Sequence, residues 1–144
     1  MINIVEINSK QYKEGLLIRE LLFFKDFPNA EELLIDLFEK DSIHVVSIIN
    51  NKVTGTGRLT VVKGKAIISQ MTVLPDYQNK GIGKEILHFL IKKSTDFKIS
   101  NIELSARITA LEFYKKYNFR EVDVIYPSKK TGVLHQKMIL EIGR

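Results

Sequence analysis

Residues 73–83 read VLPDYQNKGIG. The segment starts apolar, breaks at Pro75-Asp76, and then carries two glycines, Gly81 and Gly83, two positions apart. Before it, AIISQMTVL (66–74) is a β-type run. After it, Ile82, Ile86, Phe89, Leu90 and Lys93 recur on one helical face, with Leu87 beside them. The segment therefore joins a strand to a helix, and its glycines stand at the first helical turn. A glycine there costs about 0.5–1 kcal/mol relative to alanine. Without Cβ atoms at 81 and 83, main-chain N–H groups can approach a ligand closely. They would add to the unpaired N–H groups and positive dipole end of a helix starting near Ile82. The residues alone leave two readings open, a phosphate cradle or a loop that needs glycine for positive φ. A dinucleotide fingerprint would need a third glycine where Ile86 stands. A P-loop would need glycine at Gln78 and Ser or Thr at Glu85.

Working outward, INIVEI (2–7) reads as a strand, and Leu17, Ile18, Leu21 and Leu22 make an apolar face on a helix from about Gln11 to Phe24. Phe27-Pro28 interrupts it. Asn29 then offers an N-cap, with Glu31 and Glu32 in the first turn and Glu32 at the capping-box position. Leu33, Leu34, Leu37 and Phe38 continue this second helix to near Lys40. Three β-type runs follow: IHVVSII (43–49), VTGTGRLTVV (53–62) and AIISQMTVL, separated by Asn50-Asn51-Lys52 and Lys63-Gly64. Such short polar turns predict an antiparallel meander. Beyond the helix that opens at Ile82, NIELSA (100–105) is a strand and a helix spans about Arg107 to Tyr117, with Asn118 as its left-handed C′ residue. REVDVIY (120–126) and VLHQKMILEI (133–142) close the chain as strands.

The chain of 144 residues suits a single domain, 1–144. Hydrophobic residues make up 44% and charged residues 27%, enough for a core inside a soluble surface. There is no cysteine, which excludes a disulfide framework, a thiolate metal site and a cysteine nucleophile. His44, His88 and His135 are scattered, so no metal is expected. The opening MINIVEINSK has no basic region followed by an apolar run, and no stretch approaches the roughly 20 apolar residues that span a bilayer. A cytoplasmic protein without membrane contact is the expectation. The net charge of +5 favours an anionic partner. Its lysines are dispersed, without the basic stripe or aromatic platform of a nucleic-acid binder.

The string Val73-Leu74-Pro75-Asp76-Tyr77-Gln78-Asn79-Lys80-Gly81-Ile82-Gly83 resembles the acetyl-CoA signature of the GNAT N-acetyltransferase superfamily, V-x-P-x-[YF]-[RQ]-x-x-G-x-[GA]. Farther on, Ala110-Leu111-Glu112-Phe113-Tyr114-Lys115-Lys116-Tyr117-Asn118-Phe119 is similar to its second motif, A-x-x-[FL]-Y-x-x-x-G-F. The element order matches as well, so the resemblance covers essentially the whole chain. At the ends, IRELLF (18–23) and GVLHQKM (132–138) resemble segments of the ElaA/YjcF-like branch, with Leu134 in place of a proline. The fold implied is an α+β acyl-CoA N-acyltransferase fold. It has a mostly antiparallel mixed sheet of about seven strands with a splayed parallel pair, flanked by about four helices.

The resemblance implies acetyl-CoA as cosubstrate. Its pyrophosphate would lie on Gln78, Asn79, Lys80, Gly81, Ile82 and Gly83, with Lys84 close by. Its pantetheine arm would pair with Met71, Thr72 and Val73. Tyr114 aligns with the tyrosine that protonates the leaving thiolate. A backbone N–H of Met71 or Val73 would face the oxyanion. Ser69 stands where many members carry a glutamate base. His135, in the terminal H-x-x-M segment, is the candidate that titrates near neutrality; a structural role in its strand is the alternative. Glu103 is a weaker candidate, facing away from Ile102 and Leu104. Arg107 replaces an asparagine near pantetheine or phosphate. Arg19 and Glu20 either face the acceptor or pack. His88 is expected at the surface, His44 without a partner, and Met138 in the core. The acceptor is an amine of unspecified class, and a homodimer is common in such domains. The second reading is a GNAT-fold acyl-CoA-binding module with little catalysis, suggested by the missing glutamate.

Overall fold

The run IHVVSII becomes β2 (Ile43–Ile49), which turns back at once into β3 (Lys52–Val62). In the computed structural model, which describes residues 1–142 without the side chains of Glu31 and Glu32, Asn50 and Asn51 take φ of 50° and 63°. Two successive left-handed residues give a hairpin turn that matches the strand twist. Lys63 and Gly64, at 50° and 77°, repeat the device before β4 (Lys65–Val73). The remaining elements are β1 (Ile2–Val5), α1 (Lys10–Arg19), α2 (Ala30–Leu34), α3 (Ile82–Asp96), β5 (Asn101–Arg107), α4 (Leu111–Lys115), β6 (Arg120–Pro127) and β7 (Leu134–Glu141). The seven strands form one sheet in the order β1-β2-β3-β4-β5-β7-β6. Every neighbouring pair is antiparallel except β4 and β5, which run parallel. The expected mixed sheet and its meander are therefore present. The four α-helical segments include two, α2 and α4, of only five residues each.

One sheet face holds the main core, where Leu59, Ile68, Ile102 and Met138 meet Ile86, Leu87 and Leu90 of α3. β3 reads T-G-T-G because the helix comes very close: a Cβ on Gly57 would stand 2.6 Å from Ile86 Cγ2. On α3 the fully buried line runs through Ile86, Leu87 and Leu90, while Phe89 and Lys93 are only partly covered.

The opposite face is covered by α1, and here the expected pattern fails. Ser9 caps α1 by accepting from Tyr12 N at 3.2 Å. Its buried side chains are Tyr12, Ile18 and Arg19, whereas Leu17 is 64% exposed. Gly15 lets the helix lie against Val46 and Thr56, which rotates the leucines outward. The helix then widens into a π-helical turn over Glu20–Phe24. The extra residue in that turn brings Phe24 inward. The second predicted helix is also shorter than its apolar spacing suggests. Asn29 makes no side-chain cap, α2 ends at Leu34, and Ile35 is extended at φ −110°, ψ 123°. Leu37 is 95% exposed. The chain leaves the helix so that Glu39 can reach two arginines (below). The capping-box reading rests on Glu32, whose side chain lies outside the described residues. The predicted helix 107–117 is a 3₁₀ turn, Ile108–Ala110, followed by α4; Asn118 takes the left-handed conformation expected of it, φ 72°.

Candidate active site

β4 and β5 part company early. Their parallel ladder consists of two pairs, Ala66 with Ile102 and Ile67 with Glu103. Beyond Ile67, β4 is held on one side only, by β3. A bulge lies in that stretch: Arg58 pairs with Ser69 and Thr56 with Thr72, and Gln70 takes φ 56°. Thr56 Oγ1 fixes the bulge by donating to Gln70 O at 2.7 Å. Past the bulge, Leu74 N donates to Thr54 O at 2.8 Å. Hydrogen-bonding direction alternates along an antiparallel strand. Thr72 therefore faces β3 as Leu74 does, while the N–H and C=O groups of Met71 and Val73 point into the gap. Gln78 Nε2 donates to Val73 O at 2.9 Å, so that side chain folds back to the strand.

The strand leads into the Gly81 loop through a 3₁₀ turn, Pro75–Tyr77. Asn79 and Gly81 both have positive φ, 61° and 84°, and a Cβ on Gly81 would meet nothing within 4 Å. Among the described residues, none of the six N–H groups from Asn79 to Lys84 donates to a protein acceptor. Gly83 differs: its φ is not positive, and a Cβ there would touch Phe113 at 3.4 Å. Lys80 Nζ lies 5.6 Å from the Tyr77 ring centre, and Lys52 Nζ approaches the same ring at 5.6 Å. The loop and α3's first turn thus present a run of donors beside open space, which fits a diphosphate.

Tyr114 lies on α4 between the rings of Phe113 and Phe119. Burial pushes its phenol up to about 12. The fully enclosed, unpaired side-chain polar atoms among the described residues are Arg19 Nε, Ser47 Oγ and Gln70 Oε1. The Tyr114 oxygen is not among them, so the hydroxyl keeps slight exposure at the end of a buried ring.

The α1 face of the sheet carries a buried ionic cluster. Glu39 receives Arg19 NH1 at 2.8 Å on Oε2 and Arg58 NH1 at 2.9 Å on Oε1; Tyr12 donates its hydroxyl to Oε2. Arg58 also grips Asp36 with both terminal nitrogens and gives Nε to Ser69 Oγ at 2.8 Å. Burial works to raise the Glu39 carboxyl, but the Arg19 and Tyr12 hydrogen bonds outweigh it and hold the group at about 2. Burial likewise opposes the Asp36 charge, and Arg58 keeps that carboxyl below its ordinary range. His44 is not the partnerless histidine expected. Its Nε2 donates to Glu39 O at 2.6 Å, and burial lowers its basicity, so the ring stays neutral. Two arginines face two carboxylates, and Lys130 Nζ lies 4.0 Å from Asp36 at the partly exposed side of the cluster.

The other named residues fall on identifiable faces. Ile102, Leu104 and Ala106 belong to the α3-side core. Alternation therefore places Glu103, Ser105 and Arg107 on the α1 side. Glu103 lies near Lys65 and Lys137, at 3.7 and 3.5 Å. Arg107 lies over the Phe23 ring, 4.9 Å from its centre. His135 pairs with Arg107 across β5–β7. Its Nδ1 meets Val133 O at 2.8 Å; a carbonyl only accepts, so Nδ1 carries a proton, and in the neutral ring the lone pair sits on Nε2. Arg19 goes to the cluster. Glu20 opens the π turn and is half-buried. His88 is exposed and Met138 fully buried. The α1-face cluster of Tyr12, Asp36, Glu39 and Arg58 escaped sequence reasoning. The available signal was Arg58, a charge inside the otherwise uncharged run VTGTGRLTVV.

Set beside known proteins, residues 9–142 match the acetyltransferase (GNAT) domain family. The uncharacterized N-acetyltransferase YjcF of Bacillus subtilis is 31% identical over 140 residues, covering 97% of this chain and 91% of that protein. Among solved structures, Escherichia coli ElaA superposes with a TM-score of 0.81 at 18% identity, over 98% of this chain and 100% of that one. An aminoglycoside 6'-N-acetyltransferase complexed with coenzyme A gives a TM-score of 0.81 at 15% identity, over 100% and 98% of the two chains.

Proposed function

This chain belongs to the acetyltransferase (GNAT) domain family, and on that premise we propose that it moves the acetyl group of acetyl-CoA to a primary amine by direct attack in a ternary complex. The observation that carries the reading is the continuous main-chain path from the parted strand to the helix start. The outward groups of Met71 and Val73 suit the amides of a pantetheine arm. The unpaired N–H groups of Asn79 to Lys84 suit a pyrophosphate. Gln78 holds the Val73 carbonyl in place between the two.

The thioester supplies an acyl carbon already activated toward an amine. In the transfer, the amine nitrogen bonds to that carbon and the C–S bond breaks. The Met71 or Val73 N–H faces the oxygen that gains charge. Tyr114 gives its proton to the departing sulfur, and its raised pKa keeps that proton in place at neutral pH. His135 Nε2 takes the proton the amine sheds. Ser69 cannot serve as that base, because its hydroxyl already accepts from Arg58. The absence of cysteine leaves no acyl-cysteine route.

The test is thiol release from acetyl-CoA across a broad panel of primary amines, run beside direct titration of the cofactor. Turnover with at least one amine is the expected result. Cofactor binding without turnover on any amine would support the alternative, a coenzyme A-binding module, which the Ser69–Arg58 contact favours. No cofactor binding would remove both.

A further inference from the structure

Four arginines lie among the described residues, and three of them face carboxylates: Arg19 with Glu39, Arg58 with Glu39 and Asp36, Arg120 with Glu141. Arg107 is the exception. Its side chain is half-buried, and among the described residues no carboxylate lies within ion-pairing distance and no hydrogen bond involves its guanidinium. What it touches is Phe23, whose ring supports the plane of the guanidinium and supplies no counter-charge. Partial burial accordingly works against its charge.

The place is as specific as the pairing. Arg107 ends β5, the strand that borders the gap. Carried forward past the extra residue of the β4 bulge, the register of Ala66 with Ile102 sets Arg107 level with Thr72 across the opening. Alternation puts the side chain on the α1 face, away from α3 and the Gly81 loop. His135 is its cross-strand neighbour. Ser105, two positions back on the same face, accepts from the Tyr126 hydroxyl at 2.7 Å. The buried cluster nearby sets its two arginines against two carboxylates, with Lys130 4.0 Å from Asp36, so among the described residues Arg107 is the arginine of this wall that faces no carboxylate.

We infer that the amine acceptor is an amino carboxylate, a free amino acid or a short peptide, and that Arg107 receives its carboxylate. This rests on the acetyltransferase reading above. A guanidinium fork backed by an aromatic ring matches a planar carboxylate with two parallel hydrogen bonds. An acceptor anchored there has its amino group beside the gap, on the side of His135.

Calorimetric titration of L-amino acids, dipeptides and the matching amino-acid amides into the protein pre-loaded with CoA reads recognition without turnover. At least one acid is expected to bind tenfold or more tighter than its amide. In Arg107→Gln that ratio should fall below twofold. Arg107→Lys, a point charge without the fork, should keep part of it. The Kd for CoA should move less than twofold in either variant. Equal binding of acids and amides to the wild type, or no acid binding at all, overturns the inference while the acetyltransferase reading stands on CoA affinity. A loss of CoA affinity in Arg107→Gln with the acid preference kept assigns Arg107 to the cofactor and also overturns it. CoA failing to bind the wild type sinks the acetyltransferase reading and takes this one with it. The wild-type comparison needs no variant, so a poorly folding mutant does not spare the inference.

Discussion

Arg58 donates from Nε to the Ser69 hydroxyl at 2.8 Å, so the side chain at the position of the family's glutamate base is tied to a guanidinium already shared by Glu39 and Asp36. The serine is thus part of the wall. Ser69→Ala should lower stability by about 1 kcal/mol, the worth of one hydrogen bond, and leave turnover within about threefold. Losing a general base costs about a hundredfold or more. A hundredfold drop in kcat for this variant would return Ser69 to the proton path.

Tyr114→Phe should lose about a hundredfold or more in kcat, as expected for a general acid, with CoA affinity changed less than twofold. Because burial raises the phenol to about 12, the folded state holds this proton more tightly than the unfolded chain, where tyrosine titrates near 10. The stability contributed is complete below about pH 10 and fades as pH rises toward 12. Tyr114 should therefore add no alkaline limb to the kcat profile below pH 10. Calorimetric melting from pH 8 to 11 and a wild-type pH–rate profile check both halves.

Glu39→Ala leaves Arg19 and Arg58 without their shared buried partner and should cost about 3–5 kcal/mol in urea denaturation. With the carboxyl held at about 2, below its unfolded value, its stabilising share is intact above about pH 4.5. It is lost as pH falls toward 2. The wild type should weaken through that window, and Glu39→Gln should weaken less steeply. Parallel acid profiles for the two proteins would remove Glu39 as the source.

Gly81→Ala forces alanine to φ 84° in open space, a strain of about 1 kcal/mol. Gly81→Asn should recover part of it, because asparagine tolerates that region. Gly83→Ala needs only a small shift of Phe113 and should be near neutral in stability. Thermal melts of the three variants decide the order. Equal losses at 81 and 83 would contradict the backbone geometry described here.

The Gly81 loop was legible because its demands are local: a strand end, a break, a positive-φ residue and a helix start follow one another in sequence. The hairpins at Asn50-Asn51 and Lys63-Gly64 were legible for the same reason. What escaped was set by distant partners. Leu37 and Phe38 extend an apolar helical pattern, yet the chain abandons it because Glu39 meets Arg19 and Arg58, far away in sequence. Arg19 turns inward to that carboxylate, and Leu17 and Leu21 are displaced to solvent. His44 found its acceptor on the same segment. The parted strands could be expected only from the resemblance, because no residue type encodes where a ladder stops.

Among the described residues, the ladder between the four-stranded and three-stranded halves of the sheet has two residue pairs, at Ala66 and Ile67, above a core that both halves share. So short a seam would let the two halves pivot about its closed end, where Ala66 and Ile102 are fully buried. A rotation too slight to disturb the packing there would be magnified along the arms toward Val73 and Arg107. A substrate arm lying between them would act as a splint, turning two articulated plates into one. Amide hydrogen exchange at Met71 and Val73 should slow when it is in place.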